Sequence, residues 1–264
     1  MTRSAVGVFD SGVGGLSVLN ALRAELPGED FIYFSDARHA PYGERGDAFV
    51  IERTREVATR LVAEHGIKAL VVACNTATAA AIALLREAHP ELIIVGVEPA
   101  LKPSAAATRT GHVGVLATRG TLESLKFRTL HDTLQGHARF SLMPCDGLAG
   151  AIERLDSEAI RTLAGQYVRA LGHFGGQPGE IDTLVLGCTH YPFIAPELQR
   201  LAGREVRLIE TGQPVAQHTR RLLAAQGRLA AAGEGSLELL TTGDETTLAA
   251  AAARWLAPAL RPTN

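Results

Sequence analysis

This 264-residue sequence predicts two similar α/β halves on mostly parallel sheets, related by a pseudo-twofold axis, with the active site in the cleft between them. Three observations carry that reading. Short β-branched runs alternate with longer stretches of helical composition, the pattern of strands joined by crossover helices. The stretch "GVFDSGVGGLSVL" from Gly7 to Leu19 is matched in kind by "GVLATRGTLESLKF" from Gly114 to Phe127: an apolar strand, a polar turn with glycine, then a helix. Cys74 in "VVACNTATAA" and Cys188 in "LVLGCTHYPF" each close an apolar run and are followed at once by small polar residues.

Taken in order, "AVGVFD", "DFIYFSD", "ALVVAC" and "LIIVGVEP" are the strands predicted for the first half, with helices over Leu16 to Leu26, Ala48 to His65 and Thr76 to Ala88. "GHVGVLAT", "ARFSLMPC", "DTLVLGC" and "REVRLIET" are those of the second, with helices over Leu122 to Leu134 and Ser157 to Leu171. The division expected is 1–98 plus 209–264 against 99–208. The chain crosses near Pro99 to Pro103, and Ile209 to Pro214 carry it back. From Leu229 to Leu260 the alanine-rich tail supplies a closing strand, "SLELLTTG", and a surface helix. In open α/β sheets ligands bind beyond the carboxyl ends of the strands, where the first-strand turn and the cysteine turn of each half meet.

Composition narrows the class. A formal charge of -2 and a pI near 6.5 provide no basic field for nucleic acid. No run of 18 apolar residues implies a membrane span, and the first residues do not read as a signal peptide. Cys74, Cys145 and Cys188 are odd in number and lack CxxC spacing, which argues against a disulfide framework or zinc cluster and fits a reducing cytoplasm. Lys68, Lys102 and Lys126 show no Schiff-base pattern, so pyridoxal phosphate is disfavoured. A dinucleotide fingerprint fails because its third glycine would fall at Ser17, leaving Gly12, Gly14 and Gly15 as signs of close backbone approach.

A single buried cysteine is more often apolar filler than a functional group, and Cys145 in "LMPCDG" is read that way. Cys74 and Cys188 differ because each sits where a strand gives way to a helix, with Asn75 and Thr76, or Thr189 and His190, next in line. A helix N-terminus offers unpaired N–H groups and partial positive charge, which favour a thiolate and a bound carboxylate. Asp10 caps the first helix or pairs with an ammonium. Ser35 to Gly46 ("SDARHAPYGERG") reads as a polar loop, and Glu153 as a helix charge. Two thiols facing each other across a cleft can remove a proton from one face of a carbon and return one to the other, which is what inverting a stereocentre requires.

Five segments in order, "GVFDSGVGGLSVL", "DARHAPYGERG", "VVACNTATAAA", "GVLATRGTLES" and "LVLGCTHYP", resemble the glutamate racemases of the cofactor-independent aspartate/glutamate racemase superfamily, over Gly7 to about Thr219. The resemblance implies Cys74 and Cys188 as paired acid and base, the first acting on D-glutamate and the second on L-glutamate, with Asp10, Glu153 and His190 assisting. It implies a substrate site from Asp10, Ser11, Pro41, Tyr42, Gly43, Asn75, Thr76, Thr118, Thr121, Thr189 and His190. Bottom-up, Asp10 can hold an ammonium, and Asn75, Thr76 and Thr189 can donate to a carboxylate. The resemblance adds that the "PYG" turn reads the side-chain carboxylate. It also implies no cofactor or metal, a homodimer, and D-glutamate supply for bacterial peptidoglycan. Glu98-Pro99-Ala100 and Glu210 to Ala216 depart from the usual pattern. The rivals are a racemase for aspartate, an amino-acid binding protein, and a metal site on Cys74, Cys188 and His190.

Overall fold

The computed structural model describes residues 4–231 and 233–256. The first half runs β1 (Val6–Asp10), α1 (Leu16–Glu25), β2 (Phe31–Ser35), α2 (Asp47–His65), β3 (Ala69–Val72), α3 (Asn75–Ala88) and β4 (Ile93–Gly96). The second runs α4 (Leu101–Ala107), β5 (His112–Ala117), α5 (Arg119–Glu123), α6 (Leu125–Asp132), β6 (Arg139–Pro144), α7 (Leu148–Glu153), α8 (Ser157–Leu171), β7 (Thr183–Gly187), α9 (Ala195–Ala202) and β8 (Arg207–Ile209). The chain then returns through α10 (Gly212–Ala225) to β9 (Leu237–Thr241) and α11 (Glu245–Trp255).

Both sheets are parallel, in the orders β4-β3-β1-β2-β9 and β6-β5-β7-β8. Reversing the second gives β8-β7-β5-β6, which repeats the first four strands with β5 in the place of β1 and β7 in the place of β3. The internal echo in the sequence is thus an echo in topology. Phe9 pairs with Val72, and Ala117 with Gly187. Each cysteine turn therefore emerges beside its half's first-strand turn. All residues of β1, β2, β3, β5 and β7 are buried, as parallel strands covered on both faces must be.

Three expectations change. The helix expected over Leu122 to Leu134 is broken at Ser124, whose Oγ accepts from the Phe127 N–H (3.1 Å) and so starts α6 afresh. The Pro99 to Pro103 crossing is not all linker: Pro103 sits in the first turn of α4, where a missing N–H is harmless. The helix in the alanine-rich tail is only partly superficial, since Leu248, Ala251 and Ala252 of α11 are buried in the first-half core. Residues 257–260 of that stretch lie outside the described residues.

The return segment is pinned by a buried acid. Glu29 is 2% exposed, pairs with Lys68 Nζ at 2.5 Å and accepts from the Ala230 N–H at 2.7 Å, while Lys68 also donates to the Arg228 carbonyl. Removing one partner of such a pair strands the other charge away from water. Lys68→Met is expected to lower the unfolding free energy by about 3 kcal/mol. Glu64→Ala, which breaks the exposed pair with Arg60 but leaves that guanidinium over the Phe34 ring, should change it by less than about 1 kcal/mol. Urea denaturation of the two variants compares them, and equal effects would contradict the clamp.

Candidate active site

The carboxyl ends of both sheets face one cavity. Its wall includes twelve of the residues singled out from the sequence: Asp10, Ser11, Pro41, Tyr42, Gly43, Cys74, Asn75, Thr76, Thr118, Cys188, Thr189 and His190. Two others stand behind it. Thr121 accepts from the Thr118 hydroxyl at 2.8 Å, and Glu153 reaches the cavity only through His190. The polar segment before α2 forms two single-turn 3-10 helices, Ala37–His39 and Tyr42–Glu44.

On the first wall, Cys74 caps α3, its sulfur accepting from the Ala77 N–H at 3.4 Å. Its thiol donates to Ser11 Oγ at 3.7 Å. Asp10, at the end of β1, is wholly buried and accepts from the N–H groups of Ser11 (2.7 Å) and Gly15. It caps the turn rather than α1 itself, whose N-cap is Gly15. Burial raises the Asp10 carboxyl to about 6, with Glu153 adding to the rise and His190 and the two N–H donors opposing it. Burial and the Asp10 charge push the Cys74 thiol well above its ordinary value. The helix N-terminus was expected to draw this thiol towards neutrality; one N–H donor does not offset complete desolvation beside a carboxylate.

On the opposite wall, Cys188 Sγ lies 3.6 Å from His190 Nδ1, and His190 Nε2 lies 2.7 Å from Glu153 Oε1. Burial works against the His190 proton, but the Cys188 contact and the Glu153 carboxylate outweigh it and raise His190 well above 6.5. Glu153 is correspondingly lowered from 4.5. Glu153 is thus an orienting carboxylate for an imidazolium, not the solvated helix charge expected. Among the described residues, no group of three His, Cys, Asp or Glu side chains is placed to hold a metal ion.

The two walls interlock. Glu153 Oε1 also accepts from the Val13 N–H (2.7 Å), and the Ser17 hydroxyl donates to the Thr189 carbonyl (2.8 Å). A Cβ at Gly12 would overlap the Glu153 carboxylate, and one at Gly14 would overlap the His190 ring. Thr76 and Thr118 meet across the cleft at 3.0 Å, and the Gly147 N–H donates to Glu44 at 3.0 Å. Asn75 donates to the Val97 carbonyl (3.4 Å), which leaves its own amide oxygen buried without a partner.

Sequence reasoning missed Glu44, Arg119, Asp146 and Ala149 in the cavity wall, and Asp36 behind it. Asp36 is fully buried and accepts from Tyr42 OH (2.6 Å), Arg53 Nε (3.0 Å) and Thr242 Oγ1 (2.8 Å), so it fixes the "PYG" turn. Its only signal was an acid opening a polar loop, which surface loops share. Cys145 lines the wall as a thiol that burial raises to about 12, donating to the Met143 carbonyl.

A family model described as Asp/Glu/Hydantoin racemase matches residues 14–219. A glutamate racemase of Stutzerimonas stutzeri is 49% identical over 246 residues, 92% of this chain and 90% of that protein. Among solved structures, glutamate racemase isoform RacE1 from Bacillus anthracis superposes with a TM-score of 0.85 at 31% identity, over 97% of this chain and 94% of that one. The Escherichia coli glutamate racemase, in complex with L-glutamate and the activator UDP-MurNAc-ala, gives 0.81 at 31% identity over 96% of each chain.

The His190–Glu153 pair has a pH signature. A carboxyl lowered from 4.5 contributes stability above pH 4.5 and loses it as the pH falls through its folded value. A histidine raised above 6.5 contributes fully below pH 6.5 and loses it as the pH rises through its folded value. The stability difference between the native protein and Glu153→Gln should therefore be largest between pH 4.5 and 6.5 and shrink on both sides. Thermal unfolding across pH reads this, and a difference independent of pH would contradict the ion pair.

Proposed function

The chain belongs to the Asp/Glu/hydantoin racemase family, and from that membership we propose that it interconverts L- and D-glutamate by passing the α-proton between the substrate and two thiols, Cys74 and Cys188, without a cofactor. The observation that supports this most is placement: equivalent strand ends of the two halves bring one cysteine to each wall of a single cavity. The similarity to enzymes named glutamate racemase, one of them holding L-glutamate, favours glutamate over aspartate.

The walls divide the work. Cys74, kept as a neutral thiol, is a proton donor in the free protein. Cys188 Sγ lies 3.6 Å from His190 Nδ1, and the imidazole, raised well above 6.5, puts positive charge on that wall of the cavity. In the L-to-D direction Cys188 takes the α-proton, and Cys74 delivers its own to the opposite face of the carbanion. In the reverse direction the roles exchange. The substrate ammonium belongs beside the Asp10 carboxylate and the unpaired Asn75 oxygen. There its charge offsets the Asp10 charge, which after burial is the next cause of the raised Cys74 thiol. The α-carboxylate is received by hydroxyls such as Thr76 and Thr189, and the side-chain carboxylate by backbone N–H groups of the Tyr42-Gly43 turn, which packs tightly on Thr118. Supply of D-glutamate for bacterial peptidoglycan, by a cytoplasmic homodimer, completes the reading on the strength of the family.

Purified protein given either enantiomer should lose optical rotation with no pyridoxal phosphate or metal present. Loss of turnover on dialysis against a chelator, restored by metal, would refute the cofactor-free reading. Cys74→Ser and Cys188→Ser should each slow racemisation by about 10²- to 10⁴-fold, since each removes one acid–base partner. A one-sided reaction separates them. From 3-chloroglutamate, removal of the α-proton lets the C–H electron pair form a Cα–Cβ double bond as chloride leaves, and the enamine hydrolyses to 2-oxoglutarate and ammonia. Cys74→Ser should retain this elimination from the L form and lose it from the D form, and Cys188→Ser the converse. Cys145→Ser should keep both. Equal loss from both enantiomers in both cysteine variants would exclude a base on each face.

A further inference from the structure

Among the described residues, Phe193 is the one hydrophobic side chain that packs against cores of both halves. It stands in the 3-10 turn Tyr191–Ile194 that continues the Cys188 loop. That turn is tied to the loop by two backbone bonds, Tyr191 N–H to the Cys188 carbonyl and Phe193 N–H to the His190 carbonyl, both 3.1 Å. The Phe193 ring stacks on Trp255, with centroids 4.4 Å apart and planes 15° apart.

Trp255, the chain's only tryptophan, ends α11 and so belongs to the first-half core. Its own position is fixed: its carbonyl accepts from Asn20 Nδ2 of α1 at 2.6 Å, and the Arg254 guanidinium covers its ring at 4.8 Å. Its indole Nε1 is buried without an acceptor. The ring is therefore held there for its flat surface and not for its hydrogen bond. A rigid helix of the first half thus presses on the back of the loop that carries Cys188 and His190. The Ser17 hydroxyl holds the front of that loop through the Thr189 carbonyl. The other half touches the Cys74 helix at Thr76, through Thr118, but the Cys74 sulfur itself is held by the Ala77 N–H and Ser11 Oγ, both of the first half.

We propose that Trp255 is a positioning residue for one face of the reaction: through Phe193 it sets where Cys188 and His190 stand against the first wall. Displacing reacting groups by about 1 Å can slow a reaction up to about 10²-fold. The loss should be confined to the face that Cys188 serves.

The inference rests on the two-thiol reading, and the 3-chloroglutamate assay separates the two. In Trp255→Ala, elimination from the L form should fall about 10-fold or more, while elimination from the D form stays within about threefold of native. Trp255→Phe keeps a ring against Phe193 and should restore the L rate. If Trp255→Ala lacks native circular dichroism, Trp255→Leu, which keeps apolar volume without the stack, is read by the same L-to-D ratio. An unchanged ratio, or a loss greater for the D form, overturns the inference. Cys188→Ala in the same assay is the control. Selective loss of L elimination there, with an unchanged ratio in the Trp255 variants, rejects only the positioning role. Its failure to act selectively rejects the two-thiol reading beneath it.

Discussion

The turn from Asp10 to Ser17 is pressed directly against the loop from Cys188 to His190, and the rest of the site depends on that contact. Two parallel sheets with their carboxyl ends facing would by themselves leave the cysteine turns at an undefined separation. Gly12 and Gly14 let the turn approach to where Glu153 and the His190 ring occupy the space a Cβ would need. Glu153 then bonds a backbone N–H of one half and an imidazole of the other. The Cys188 loop takes its position against the first wall from this junction, which is made of short polar contacts.

The halves repeat a topology but not an electrostatic environment. Asp10 on one wall is a carboxyl that burial holds near 6, and burial together with the Asp10 charge raises the neighbouring Cys74 thiol. His190 on the other is an imidazole that keeps its proton because Glu153 and Cys188 outweigh its burial. The acid stands beside one sulfur and the imidazole beside the other, so the two walls carry opposite local charge.

Much of the fold was legible because parallel strands buried on both faces, such as β1, β3, β5 and β7, announce themselves, and all nine strands among the described residues fall within the runs picked out from the sequence. The cysteine turns were legible for a local reason, a thiol followed at once by hydrogen-bonding residues at a strand end. What stayed hidden depends on contacts distant in sequence. Glu153 looks like any helix carboxylate until folding sets it against His190. Asp36 looks like a loop acid until Tyr42, Arg53 and Thr242 converge on it. The rise of the Cys74 thiol was hidden as well, since the motif shows the helix N-terminus but not the extent of burial. The alanine-rich tail carried almost no signal, yet its last helix places the chain's only tryptophan behind the Cys188 loop.

Hydrogen tracing at the α-carbon tests the two-sided proton transfer most directly. With L-glutamate in deuterium oxide, sampled at low conversion, every D-glutamate formed should carry deuterium at Cα, because its hydrogen comes from a solvent-equilibrated Cys74 on the far face. The L-glutamate still present should retain protium, since return from Cys188 delivers the hydrogen just removed. D-glutamate that keeps the original protium, passed from one face to the other by a single base, would contradict the placement of an independent thiol on each wall.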